Sequence, residues 1–305
     1  MAGDSKAERD RVFRLGMLWL GPHPAEYHEG VVEALRGLGY VDGRNLVVDY
    51  RFGGPQELVA QAAELVNLKV DLIHAGSSAG TRAAMAASHS VPIVAVDLET
   101  DPVASGFASS VARPAGNLTG IFLNFPEFSG KRLEILKETL PTVSRVAVLW
   151  DASMDRSPLS GMEDAARRLN LRLFMVEVRD DSELESAFKR AIQSRAGVVM
   201  VMPSPRLDGY KPQILKLGAT YRLPVMTLFA HFTADGGLLS YGPNIHDMLR
   251  RSATYVVKIF EGNKPGDLPI QRPEKFDFWV NLKTAKSLHL KIPQSVLAQA
   301  DEVIR

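Results

Sequence analysis

Apolar and polar positions along this chain fall into two alternating periods. Residues 12–20 and 70–75 are short, nearly continuous apolar runs of strand length, as expected for strands covered on both faces. Between them, residues 27–38 carry Val31, Val32, Leu35 and Leu38 on one helical face. Gly39 closes that helix and Asp42-Gly43 turns the chain. Residues 45–52 alternate, with Leu46, Val48 and Tyr50 on one side, and residues 56–68 read as a helix. A strand, turn and helix then span residues 70–87, and another strand spans 92–96. Short strands separated by helices predict a parallel sheet with helices on both faces.

The second half repeats this plan. Val146-Ala147-Val148-Leu149-Trp150 echoes Leu15-Gly16-Met17-Leu18-Trp19, and each run leads into a turn, a helix and another strand. Strands are expected at 172–178, 197–202 and 224–228, and a helix at 182–194. Two α/β lobes of similar plan follow. Turn residues crowd 97–125, which reads as a long surface excursion crossing between lobes. Further on come a helix at 245–260, an extended linker at 264–269, a strand at 276–281 and a short helix at 284–288. The tail, 296–304, reads as helical.

The turn Gly76-Ser77-Ser78-Ala79-Gly80 concentrates the chemistry. Gly76 suits a sharp turn, and Ser77 or Ser78 could cap the helix that follows. A helix start offers unpaired N–H groups to a carboxylate, a phosphate or another polar ligand edge. The same five residues match G-x-S-x-G, which in a strand–turn–helix setting is the nucleophile elbow of serine hydrolases, with Ser78 as nucleophile. Three readings stand: a capped turn, a ligand cradle and an elbow. The elbow needs a later acid and histidine. His231 or His246 could serve, but seven scattered histidines make such a match cheap. The matching turn of the second lobe, Pro203-Ser204-Pro205, is no elbow.

Composition narrows the class. The 305 residues suit two domains, and 46% hydrophobic with 23% charged residues suits a folded globular chain. With 36 basic against 35 acidic side chains, the net charge of +1 gives no footprint for nucleic acid. No apolar run reaches membrane-spanning length. The chain has no cysteine, which excludes disulfides, thiol catalysis and cysteine metal sites. His23 and His28 are five apart and do not share a helix face, so no metal site is read. No cofactor is called for. Lys131, Arg132 and Lys137, with Glu134 and Glu138, read as a solvated helix face.

Several stretches carry a family resemblance. They are residues 97–106, Ala112-Arg113-Pro114-Ala115-Gly116-Asn117-Leu118-Thr119-Gly120, and Lys131-Arg132-Leu133-Glu134-Ile135-Leu136-Lys137. Gly237-Leu238-Leu239-Ser240-Tyr241-Gly242-Pro243, residues 273–286 and Ile292-Pro293 add to them. The chain resembles, from Val12 on, the substrate-binding component of ABC transporters, in the group that includes tryptophan/tyrosine-type binding proteins. The resemblance implies two doubly wound parallel-sheet lobes of the periplasmic-binding-protein kind, three crossovers and a ligand cleft. It implies lobe one at 12–122 plus about 244–272, and lobe two at 123–243 plus about 273–305. It further implies a monomeric, non-enzymatic solute receptor in the periplasm that hands a small molecule to a membrane permease. The polar N-terminus shows no export signal, so a signal would have been removed or replaced.

In open α/β sheets, ligands bind beyond the carboxyl ends of the strands. That rule selects Pro22, His23, Ser77, Ser78, Ala79 and Asp97 in lobe one, and Asp151, Pro203, Ser204 and Phe229 in lobe two. Asn124 and Tyr241 join them near the crossovers. Asp97 and Asp151 serve equally well as turn or helix caps, while Glu99 and Asp101 read as structural and Trp19 as core. An amino acid or a related, possibly aromatic, carboxylate is the expected ligand, with hinge closure about it.

Overall fold

A computed structural model describes residues 11–21, 25–152, 154 and 157–305. The chain divides into two compact units, one running to Asn124 and again over Ile245–Pro273, the other Phe125–Asn244 with Glu274–Arg305. It therefore passes from one unit to the other three times.

The first unit alternates strands and helices: β1 (Phe13–Leu20), α1 (Ala25–Gly37), β2 (Leu46–Gly53), α2 (Pro55–Asn67), β3 (Leu72–Gly76), α3 (Ser77–Ala87), β4 (Ile93–Asp97) and β5 (Leu118–Phe122). The sheet is parallel, in the order β2-β1-β3-β4-β5. The inner strands β1, β3 and β4 are the continuous apolar runs, because both faces are covered. β2 lies at the edge and leaves Val47, Tyr50 and Phe52 exposed. The residues 97–125 are thus not a surface excursion throughout, since 118–122 form a buried fifth strand. Gly120 disguised it. Its φ is +144°, and a Cβ there would lie 2.0 Å from the Ala95 carbonyl oxygen, so the glycine serves close strand approach rather than a turn.

The second unit holds α4 (Phe125–Thr139), β6 (Arg145–Asp151), α5 (Ser157–Arg168), β7 (Arg172–Val178), a 3-10 turn (Asp181–Glu183), α6 (Leu184–Gln193) and β8 (Val198–Val201). It continues through α7 (Pro205–Gly209), α8 (Lys211–Thr220), β9 (Val225–Thr227), α9 (Ala230–Ala234) and β10 (Leu239–Pro243). Next, α10 (Ile245–Phe260) and a 3-10 turn (Pro265–Asp267) return to the first unit. Finally β11 (Phe276–Asn281), α11 (Leu282–Ser287), α12 (Gln294–Leu297) and β12 (Glu302–Ile304) complete the second. Its sheet runs β12-β11-β10-β9-β8-β6-β7, with only β10 and β11 antiparallel. The expected helical tail is a short helix followed by β12, paired parallel to β11. The expected extended linker contains the 3-10 turn at Pro265–Asp267.

Each unit has its own core. In the first, Met17 and Trp19 of β1 pack with Val31 and Leu35 of α1 and with Met248, Leu249 and Val256 of α10. Phe13 stacks on Phe260 at 4.3 Å. α10 buries Met248, Leu249, Ser252, Ala253, Val256, Ile259 and Phe260, one face at helical spacing. In the second, Val199 and Val201 of β8 pack with Leu184 and Phe188 of α6 and with Ile214 of α8. One charged side chain departs from its expected place. Arg132 is fully buried on α4, not solvated, and its Nη2 donates to the Val201 carbonyl at 3.4 Å. Burial pushes its guanidinium down to about 9, so it remains charged at neutral pH.

Candidate functional site

The carboxyl ends of β3 and β4 lie side by side, with Gly76 opposite Val96. Gly76 itself is extended, at φ −96° and ψ 130°. The sharp turn expected of it falls on Ser77, whose φ is +79°. Gly76 is needed for another reason, because a Cβ there would meet the Trp19 indole at 2.5 Å. α3 begins directly at Ser77, with the Ser77 Oγ accepting from the Gly80 N–H at 3.3 Å. Its first turn therefore opens beyond the sheet edge, with Ser77 and Ala79 partly exposed.

Asp97, at the end of β4, points inward. It is fully buried. Its carboxylate accepts from the Glu99 N–H at 2.7 Å, the Thr100 N–H at 3.1 Å and the Thr100 hydroxyl at 2.6 Å. Burial pushes its pKa up, while the Thr100 hydroxyl, the two amides and the charge of Arg82 oppose the rise. Asp97 thus holds the loop that presents Glu99. The Glu99 carboxylate in turn accepts from the Ser78 hydroxyl, joining the two strand ends. Asp101 accepts from the Val103 and Ala104 N–H groups at 2.9 and 2.8 Å, and from Asn124 Nδ2 at 3.2 Å. Asn124 has φ +55° and ends the first unit's leading segment. Pro22 and His23 lie outside the described residues.

The second unit has its own polar knot at the ends of β6 and β8. Asp151 is 2% exposed. It accepts from the Ser204 hydroxyl at 2.9 Å and faces Arg206 Nη1 at 3.4 Å. Ser204 also caps α7, its Oγ accepting from the Leu207 N–H at 3.0 Å. Pro203, Ser204 and Phe229 line one shallow recess there. The Phe229 ring stacks on His231 at 5.6 Å, and His231 Nε2 meets Asp208 at 2.7 Å. Tyr241 lies within β10, opposite Phe278, rather than at a strand tip. Its ring packs against Phe128 at 5.3 Å and Phe276 at 5.8 Å, which themselves stack at 5.2 Å, and burial raises its pKa, with the Asp301 charge adding to the rise.

The geometry thus joins Ser78 to the end of β4 in one unit and Asp151 to Ser204 in the other. It leaves Tyr241 in a separate aromatic stack. Two residues stand in these knots that the sequence reading did not select, Glu99, read there as structural, and Arg206. Their signal was position alone, each two residues beyond a selected site. An elbow is not what the turn forms, because the positive φ falls on Ser77 and the Ser78 hydroxyl donates to a carboxylate. Among the described residues no group of three or more His, Asp or Glu is placed to hold a metal ion, and no helix is long and apolar enough to cross a membrane.

Comparison with known proteins gives the family and the fold. The family model described as ABC transporter substrate binding protein matches residues 20–304. A tyrosine-binding protein of Clostridioides difficile (strain R20291) is 24% identical over 296 residues, 94% of this chain and 83% of that protein. A conserved domain protein from Vibrio cholerae has a TM-score of 0.88 at 24% identity, over 96% of this chain and 100% of that one. An ABC domain in complex with L-Trp from Streptococcus pneumonia has a TM-score of 0.87 at 22% identity, over 96% and 100% of the two chains. Both structures share the α/β periplasmic-binding-protein fold of this chain. With a family match over nearly its whole length, the chain belongs to the ABC transporter substrate-binding proteins.

Proposed function

We propose that this protein is the solute receptor of an ABC-type importer and binds an amino acid or a related carboxylate, aromatic ligands included. One observation carries the reading. The first turn of α3 opens at the sheet edge beside the Ser78–Glu99 pair, which gathers hydrogen-bond donors and a negative charge at one strand end. Such a mix suits a zwitterion. The relatives support the class, since one is named for tyrosine and another was solved with L-Trp. In this reading the strand ends of the two lobes face a shared ligand and a hinge closes over it. The closed, liganded form is then what a membrane permease recognises outside the cytoplasm.

A thermal-shift screen tests it. Amino acids, aromatic acids, dicarboxylates, sugars and nucleosides are each added to the purified protein. A ligand at a hundred times its dissociation constant adds about 2.7 kcal/mol of stability. A clear rise in Tm with amino acids or aromatic acids is the expected result. A response confined to sugars or nucleosides, or none with protein that native mass spectrometry shows to be empty, would overturn the reading.

A further inference from the structure

The amino ends of the second unit's strands, opposite the edge that carries Asp151 and Ser204, bear a row of cations. Arg145 opens β6 and stands beside Arg172, the first residue of β7. Arg195 and Arg222 precede β8 and β9, each two residues beyond the end of a helix, α6 or α8. Lys283 follows β11, which runs antiparallel to β10 and so finishes at this same edge. Because β7, β6, β8 and β9 are successive neighbours, their four arginines span roughly 15 Å at the usual strand spacing. Arg145 is half-buried, its Nη1 donating to the Ser194 carbonyl at 2.9 Å, and the other four residues are exposed. Among the described residues none of the five forms an ion pair, while Asp164 and Asp235 are held by Arg167 and Lys211. Glu138 and Glu163, on α4 and α5, are offset by Lys137 and Arg168 of the same helices. The chain as a whole is nearly neutral, with 36 basic against 35 acidic side chains, so the row is a local excess.

Helix ends account for only part of it. Arg195 and Arg222 lie just past helix C-termini at φ +56° and +53°, where glycine is the usual residue and a cation suits the helix dipole. Arg145 and Arg172 begin strands and have no helix end to serve. Lys283 sits in the first turn of α11, where the dipole disfavours a cation. Two large apolar side chains are exposed beside the row. Ile192 is in the last turn of α6, and Phe174 is on the same face of β7 as Arg172. We propose that this edge rests on a bilayer surface rich in anionic phospholipid. Arginines in line would meet the phosphates while Ile192 and Phe174 enter the headgroup boundary. A soluble polyanion would match the charge and leave both apolar side chains in water. Docked in this way, the protein keeps the carboxyl edge of the sheet, with Asp151 and Ser204, turned away from the membrane.

Co-sedimentation of the intact protein with vesicles tests the assignment, using phosphatidylcholine alone and phosphatidylcholine mixed equally with phosphatidylglycerol. Binding should be confined to the mixed vesicles and fall as salt shortens the range of the charges. Arg195→Gly combined with Arg222→Gly removes two charges at positions whose backbone favours glycine, so the fold is kept. That double variant should bind the mixed vesicles about 25-fold more weakly, about fivefold for each charge. Arg172→Gln should lose about fivefold and Arg172→Lys almost nothing, since charge rather than geometry is read. Ile192→Ser should weaken vesicle binding and leave its salt dependence unchanged. Equal binding to both vesicles, no binding to the mixed ones, or a double variant that binds like the wild type would overturn the proposal. Binding to soluble polyphosphate without binding to vesicles would give the row to a soluble polyanion and overturn the membrane.

Discussion

His74 is the residue on which stability should depend most visibly on pH. It is fully buried in β3, its ring parallel to the Trp19 indole at 5.7 Å. Ser252 gives its hydroxyl proton to the Leu249 carbonyl at 2.8 Å, so the His74 Nε2–H donates to Ser252 Oγ at 2.9 Å. Burial pushes its pKa down to about 3, so the ring is neutral at neutral pH. The unfolded chain binds this proton near pH 6.5 and the folded one does not. The stabilisation is complete above pH 6.5 and is lost as pH falls from there toward 3, at a limiting slope of about 1.4 kcal/mol per pH unit. Between pH 7 and 5 the loss from this one group is about 2 kcal/mol. Urea unfolding at the two pH values should show that component in the wild type and not in His74→Gln. An equal pH dependence in both would refute it. Nothing in the apolar run around His74 separates a core histidine from an exposed one, because the difference lies in α10, far along the chain. The same holds for the carboxylates. Asp97 was visible as a strand-end residue, but only the turn that follows shows that it faces inward and Glu99 does not.

Among the elements, the short helix α7 depends on one side chain. Ser204 caps it and also supplies a donor to buried Asp151. Loss of an N-cap costs about 1 kcal/mol, and a buried carboxylate that loses a donor adds to that. Ser204→Ala should therefore lower unfolding stability by about 1–2 kcal/mol, with Ser204→Thr recovering most of it, as read from denaturant midpoints. A neutral Ser204→Ala would show that Asp151 and the helix are held by other contacts. Elements with a strong period were legible from the chain alone. β1, β3, β6 and β7 announce themselves as apolar or alternating runs, and α10 as one apolar face over 16 residues. Short elements were not. α7 and α9 have five residues each and β12 has three, too few to express a period. β5 was hidden by a glycine whose reason is the neighbouring strand.

At the scale of the molecule, neither unit is a continuous piece of chain. The first unit's sheet is complete by Phe122, yet one flank of its core is α10, which begins at Ile245. A fragment ending at Asn124 would expose Leu35, Val94 and Ile121 where Met248, Leu249 and Val256 now belong. It should bind the dye ANS and lack a cooperative urea transition, as expected of a collapsed state without fixed packing. A sharp transition in that fragment would show that α10 is dispensable to the core. The arrangement also has a consequence for biosynthesis. About 120 residues of the second unit leave the ribosome before the helix that closes the first, roughly 6 to 24 seconds at ordinary rates of translation. The first unit must wait through that interval half-built, its apolar flank open, so a chaperone that shields nascent chains has a defined stretch of time and a defined surface on which to act.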